Sequence, residues 1–506
     1  VTPRARAETA QNAASDPSAS AFVAASAGSG KTKLLTDRLL RLMLGGADPS
    51  RIQCLTFTKA AAAEMALRLH RKLGEWVRLD DAPLDSALLA LGCAPDAALR
   101  GRARALFAEV LDLPGGMRIG TIHAFCQSLL RRFPLEAAIS PHFRLAEDRD
   151  ATEALDESRE DMLADPETSE GALAELAGIT TLKAFGGLVA ALNKRSGEVE
   201  AAARLGAGLE AAYRGVLGVA VESEAQAMEA AIAQGRAVLR EAAAVVAQRG
   251  SPACSDRAMA VLAWIDEPRA ERWENWRELF LKQDGGARAA SQFVNTKLAN
   301  AEPHLAAAFA DEAERIRAVD DQLRALRLAR ASAALVRLAA PVLARYEERK
   351  ARSGLLDYGD LIGLTSRLLV DPGAAWVLYK LDGGLDHLLL DEVQDTAPEQ
   401  WNIAHALTAE FFAGEGVSRA PRTVFAVGDR KQSIFSFQGA DTAAFDRSRR
   451  LMRERVESAG GVFRDEPMDV SFRSTEPVLD LVDAVFADPE ALAGVSDKPI
   501  RHFADR

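Results

Sequence analysis

The segment that most restricts the fold is Ala25-Ser26-Ala27-Gly28-Ser29-Gly30-Lys31-Thr32. An apolar run, Ala21 to Ala25, leads into it, and a helix-patterned run carrying Leu34, Leu35, Arg38, Leu39 and Leu40 leaves it. A strand, a glycine-rich turn and a helix in that order let backbone N–H groups wrap phosphate oxygens at a helix N-terminus. In such a loop Lys31 reaches the β and γ oxygens of a nucleotide, and the Thr32 hydroxyl ligates Mg²⁺. The first position of the pattern, usually glycine, is Ala25 here. Gly-Lys-Thr also arises by chance in ordinary helix-opening loops, so the rest of the chain has to decide.

Short apolar runs recur at Ala21 to Ala25, Ile52 to Phe57, Met117 to Thr121, Leu388 to Leu390 and Val424 to Val427, with helix-patterned segments between several of them. That alternation predicts an α/β domain built on a largely parallel sheet. From about 146 to 340 the chain is rich in Ala, Leu, Glu and Arg and reads as a helical insertion between the third and fourth strands. The expected organisation is therefore a motor lobe over 1–145, an insertion over 146–340, the lobe resumed over 341–459, and a second lobe opening at 460–506.

Two further elements give the loop its chemistry. Leu388 to Leu390 runs into Asp391-Glu392-Val393-Gln394-Asp395, which places carboxylates at the C-terminal end of a strand, where open α/β sheets bind ligands. Asp391 is expected to hold Mg²⁺ and Glu392 to orient and deprotonate an attacking water. After the run ending at Val427 comes Gly428-Asp429-Arg430-Lys431-Gln432-Ser433-Ile434-Phe435-Ser436-Phe437-Gln438-Gly439-Ala440-Asp441. The Gln432 amide suits a γ-phosphate, and Phe435 and Phe437 offer faces for base stacking, although two phenylalanines at this spacing also suit one face of a core strand.

Composition sets outer limits. With 48% hydrophobic and 27% charged residues, 506 residues describe a folded chain of several domains, and the formal net charge of −11 restricts any nucleic-acid contact to a local groove. No stretch approaches the roughly 18 uninterrupted apolar residues of a membrane span, and the first twenty residues hold no apolar signal-peptide core. Cys54, Cys93, Cys126 and Cys254 match no metal spacing and read as small core residues in a reducing cytoplasm.

Taken in order, these elements resemble the motif set of superfamily-one DNA helicases of the UvrD/Rep type, and within them the AddA helicase-nuclease subunits related to RecB. Gln11 stands 20 residues before Lys31, at the place of the family's adenine-reading glutamine. Leu55 to Met65 looks like motif Ia, Ile119 to Cys126 like motif Ib, Asp391 to Asp395 is similar to the DExQD box, Val427 to Asp441 to motif III, and Ser471-Phe472-Arg473-Ser474 to motif IV. The AddA flavour comes from Cys126 to Pro134, from Leu356 to Leu361 and from the Ser436 to Asp441 ending of motif III.

The resemblance implies a RecA-like motor that uses ATP and Mg²⁺ to move along DNA in the 3′ to 5′ direction, with a helical 1B insertion, paired with an AddB-like subunit in double-strand-break repair. It implies nucleotide contacts from Gln11, from Ala25 through Thr32, and from Thr36 and Arg38 on the following helix. Lys31, Asp391, Glu392, Gln432 and Arg473 would be catalytic, with Arg473 reaching the γ-phosphate across a cleft between two lobes. Single- and double-stranded DNA would be the partner, contacted by Phe57, Thr58, Thr121, His123, Phe435 and Phe437. Motifs V and VI and a nuclease find no counterpart before Arg506, so the nuclease is expected to belong to a longer parent protein. Taken singly, Phe57 ends an apolar run and suits a core, His123 suits a buried histidine, and Arg473 a surface arginine. A DNA-independent kinase or hydrolase, a stand-alone UvrD-like helicase and an inactive nucleotide-binding fragment are the rival readings.

Overall fold

The computed structural model describes residues 2–165, 170–382, 384–412, 421–433, 441–493, 495–496 and 499–505. The chain divides into two compact units, one formed by 1–146 with 354–506, the other by 147–353.

The first unit is built on six parallel strands: β1 (Ser20–Ala25), β2 (Ile52–Thr56), β3 (Arg118–Thr121), β6 (His387–Leu390), β7 (Thr423–Gly428) and β8 (Phe463–Met468). Their order is β3-β2-β6-β7-β1-β8. The inner strands are apolar on both faces because helices cover both. Residues alternate between the two layers with the period of two that a strand imposes. Ala21, Val23 and Ala25 of β1, Phe425 and Val427 of β7 and Leu389 of β6 join one core, packed under α2 (Lys31–Leu44) and α3 (Lys59–Arg78). Phe22, Val424, Ala426, Leu388 and Leu390 face the other, under helices Ile122–Arg132, Tyr358–Val370 and Pro398–Leu407.

All five apolar runs are strands, within a residue or so of their expected ends. The segment after Gly460-Gly461 corrects the expectation of a new lobe beginning there. β8 pairs in parallel with β1 from Ser20↔Phe463 to Ala25↔Met468 and so extends the first sheet. Its sequence, Phe463-Arg464-Asp465-Glu466-Pro467-Met468, hides this. An edge strand tolerates proline and charge that a central strand does not, and Asp465 is neutralised by Arg449 and Arg453 on helix Thr442–Ser458. Two short parallel strands, β4 (Arg144–Leu145) and β5 (Leu355–Leu356), bring the points where the chain leaves and re-enters this unit side by side, with Arg144 N–H donating to Gly354 O at 2.9 Å.

The second unit is dominated by one 51-residue helix, Pro303–Ser353. Pro341 lies inside it, and the helix continues through the expected boundary at 340 because Leu338, Ala339, Val342 and Leu343 are buried along it, so packing outweighs the lost backbone donor. Trp264, Trp276, Phe280, Phe293 and Phe309 form its aromatic core. There Glu312, 4% exposed, accepts from Trp276 Nε1 at 3.1 Å and pairs with Arg236 at 3.0 Å. Among the described residues no single helix is long and apolar enough to cross a membrane.

Candidate nucleotide site

β1, β6 and β7 end on the same side of the sheet, and the polar segments following them converge. The phosphate loop turns through two left-handed glycines, Gly28 at φ +76° and Gly30 at φ +90°, the latter capping α2. Such angles are freely available only without a Cβ. Glu392, at φ +51°, is one of two non-glycine residues with positive φ among those described, so the acidic turn after β6 holds a conformation disfavoured for its residue type.

One continuous chain of hydrogen bonds joins the three segments. Lys31 Nζ donates to Glu392 Oε2 at 2.6 Å, and Gln394 Nε2 donates to the same oxygen at 2.7 Å. Gln394 Oε1 accepts from the Asp429 N–H at 2.9 Å, and Asp429 Oδ2 accepts from Gln432 Nε2 at 2.6 Å. Gly428 is required for this approach: a Cβ there would lie 2.5 Å from Gln394 Oε1 and 2.8 Å from Val393 Cγ2. The Asp391 carboxyl accepts from the Glu392 N–H at 2.9 Å. Burial, then repulsion from Glu392, pushes its pKa up to about 7, with Lys31 and that N–H opposing the rise.

Gln11 of α1 (Pro3–Ala14) reaches the loop: its Nε2 donates to Ser29 O at 3.3 Å and its Oε1 accepts from Lys33 Nζ at 3.1 Å. Ser29 Oγ is buried without a hydrogen-bond partner among the described residues. A buried hydroxyl with no partner at the N-terminal end of α2 fits an anionic ligand such as a phosphate. Asp391, held partly protonated at neutral pH by its surroundings, fits a cation that would restore its charge. Among the described residues no cluster of three or more His, Cys, Asp or Glu could hold a metal by itself. Thr32 and Asp391 are the residues that could hold Mg²⁺ arriving with a nucleotide.

Two nucleotide expectations fail on geometry. Arg38 is fully buried, donates to Ala19 O at 2.6 Å and Thr423 Oγ1 at 2.9 Å, and lies over the Phe425 ring. It belongs to the core between α2 and the start of β7, and burial lowers its pKa to about 9. The Thr36 hydroxyl is buried too and donates to Thr32 O at 2.9 Å, within its own helix. Both lie beyond the first turn of α2, where the exposed backbone donors end.

Arg473 is exposed and stands beside the phosphate loop in the same unit, not across an interlobe cleft. Phe472 N–H donates to Gly28 O at 2.9 Å, and a Cβ on Gly28 would lie 2.7 Å from Arg473 Cβ. The cause is β8, which delivers Ser471 to Arg473 directly from the edge of the sheet.

Of the expected DNA contacts, Phe57 is half-buried at the end of β2 and lines a narrow cleft with Leu55, Ile122, Asp391 and Trp401. Thr58 caps α3 and Thr121 caps helix Ile122–Arg132, their hydroxyls accepting from Ala61 N–H at 3.1 Å and Ala124 N–H at 3.2 Å. His123 packs edge-on against Tyr358 with ring centres 5.2 Å apart, and burial lowers its pKa, favouring the neutral ring. Phe435 and Phe437 lie outside the described residues. Gln394, Asp429, Lys431 and Lys33 hold the site together without having been singled out. The first three lay within the quoted motifs, but a side chain that bridges two motifs leaves no mark in either alone.

A parallel sheet with a phosphate loop, an acidic turn and a glutamine-bearing loop at the ends of adjacent strands defines a phosphate-loop NTPase motor domain. The UvrD/REP helicase N-terminal domain matches residues 7–452, and the chain belongs to that family. Its relatives include proteins each named as one subunit of an ATP-dependent helicase/nuclease. That of Desulforudis audaxviator is 29% identical over 92% of this chain and 38% of its own length. That of Pelotomaculum thermopropionicum is 27% identical over 92% and 37%, and that of Listeria monocytogenes 25% over 92% and 38%. The chain thus spans less than two-fifths of the length of these relatives.

Proposed function

We propose that this chain is the ATP-hydrolysing motor portion of an AddA-like helicase-nuclease subunit, which moves 3′ to 5′ along DNA beside an AddB-like partner in the cytoplasm. The six-stranded unit is the first motor lobe and the helical unit its 1B insertion. The observation that carries this reading is the bonded chain Lys31–Glu392–Gln394–Asp429–Gln432, which ties the phosphate loop and the acidic turn to the motif whose sequence runs on to Phe435 and Phe437.

Gln11 and residues 25–32 bind the nucleotide, and Lys31 leaves Glu392 for the phosphate oxygens. Thr32 and Asp391 would hold Mg²⁺, whose charge would offset that of the phosphates. Glu392 then takes the proton of the attacking water, while the Gln432 amide and the Arg473 guanidinium stabilise charge on the γ-phosphate. Phe57, Thr58, Thr121, His123, Phe435 and Phe437 hold single-stranded DNA by stacking and phosphate contact. A titration with a single-stranded oligonucleotide tests the DNA half of the reading. The log–log salt slope is expected to be about −0.7 per phosphate contacted, and a complex indifferent to salt points instead to a DNA-independent hydrolase.

A further inference from the structure

A second lysine approaches the phosphate loop from outside it. Lys431, in the 3₁₀ turn Arg430–Gln432 after β7, donates from Nζ to Ser26 Oγ at 3.1 Å. Ser26 is buried, and its backbone N–H is already bonded to Met468 O at 2.9 Å, so Lys431 completes the fixing of the loop's first turn.

Lys431 is itself anchored. Its Nζ stands 3.4 Å from His502 Nε2, and His502 Nδ1 meets Asp483 Oδ1 at 2.7 Å. The His502 N–H also donates to Asp483 Oδ2 at 2.9 Å, so the carboxylate grips ring and backbone together. Asp483 lies on helix Glu476–Val485, and His502 directly precedes the strand Phe503–Ala504, which pairs with Val470–Ser471 just before Arg473. With Asp483 on Nδ1, Nε2 is the ring nitrogen that faces the ammonium.

We infer that Lys431 is a positioning residue for the phosphate loop, held over Ser26 by the Asp483–His502 pair, so that nucleotide affinity depends on the segment that follows motif IV. The inference rests on the nucleotide reading of the loop. An ammonium in this place orients Ser26 and adds positive potential beside Lys31 where phosphate charge arrives.

Isothermal titration of the 506-residue chain with Mg·ATP tests it, with Lys31→Ala as the control. Lys431→Ala should weaken binding by about tenfold at unchanged melting temperature, and Lys431→Arg should recover most of the loss. His502→Ala should weaken binding by a smaller factor, and that factor should vanish in the Lys431→Ala background, because the two act through one contact. Unchanged affinity in Lys431→Ala while Lys31→Ala loses binding overturns the inference and leaves the nucleotide site intact. Multiplying effects of His502→Ala and Lys431→Ala, or failure of Lys431→Arg to recover affinity, overturn it as well. If Lys31→Ala binds like the unaltered chain, the nucleotide reading itself has failed.

Discussion

Lys31 Nζ lies 2.6 Å from Glu392 Oε2, so the cation assigned to the phosphates is already engaged by the carboxylate assigned to the water. A nucleotide has to compete with Glu392 for that ammonium. Glu392→Gln removes the competing charge and the proton acceptor together. It should therefore stop ATP turnover while binding Mg·ATP at least as tightly as the unaltered chain. Turnover assays and nucleotide titration on one preparation check both halves, and weakened binding would mean that Glu392 mainly holds the loop in shape.

Asp391 gives a pH dependence of defined sign. Its pKa is raised from 3.8 to about 7, so between those values the folded chain binds a proton that the unfolded chain has released. The stability it contributes is present in full below pH 3.8 and is lost as pH rises through about 7. Melting temperatures measured from pH 5 to 8 should fall, and the decline should flatten in Asp391→Asn. Mg²⁺ needs the ionised carboxylate, so Mg·ATP should bind more tightly as pH rises across the same window, with proton release visible as a buffer-dependent heat.

Arg38 separates core from ligand. Arg38→Leu takes the side-chain donor from Ala19 O in a fully buried place and leaves Thr423 Oγ1 with His387 Nδ1 alone. It should cost about 2–4 kcal/mol of stability without changing nucleotide affinity per folded molecule. Denaturant unfolding beside nucleotide titration reads the two effects, and a loss of affinity at unchanged stability would return Arg38 to the nucleotide.

Gly28 is constrained twice, by φ +76° and by the approach of Ser471 Oγ to 2.8 Å and Arg473 Cβ to 2.7 Å of an added Cβ. Gly28→Ala should cost at least about 1–2 kcal/mol for the left-handed backbone. It should also displace motif IV, exposing helix Glu476–Val485 to faster amide hydrogen exchange. Unchanged exchange there would show that the loop absorbs the methyl group alone.

The inner sheet was legible because strands covered on both faces are apolar at every position, which Val23, Leu389 and Val427 display in the sequence itself. β8 was not, since an edge strand is read through its ion pairs, and Asp465 finds its arginines 12 and 16 residues upstream on a different element. The same limit applied at the site. Motifs pointed to Lys31, Asp391, Glu392 and Gln432 by residue type and order, but Gln394 and Lys431 join the same network through partners 35 and 405 residues away. Arg38 misled in the opposite sense: the helicase resemblance implied a nucleotide contact, and only the packing of α2 on β7 shows it turned inward.

If nucleotide and DNA chemistry belong to one motor, the rate of ATP hydrolysis with and without single-stranded DNA reads that union most directly. Turnover should rise when an oligonucleotide is added, and it should disappear with or without DNA in Lys31→Ala. Turnover equal in the presence and absence of DNA, or surviving in Lys31→Ala, would contradict a DNA motor driven from this phosphate loop.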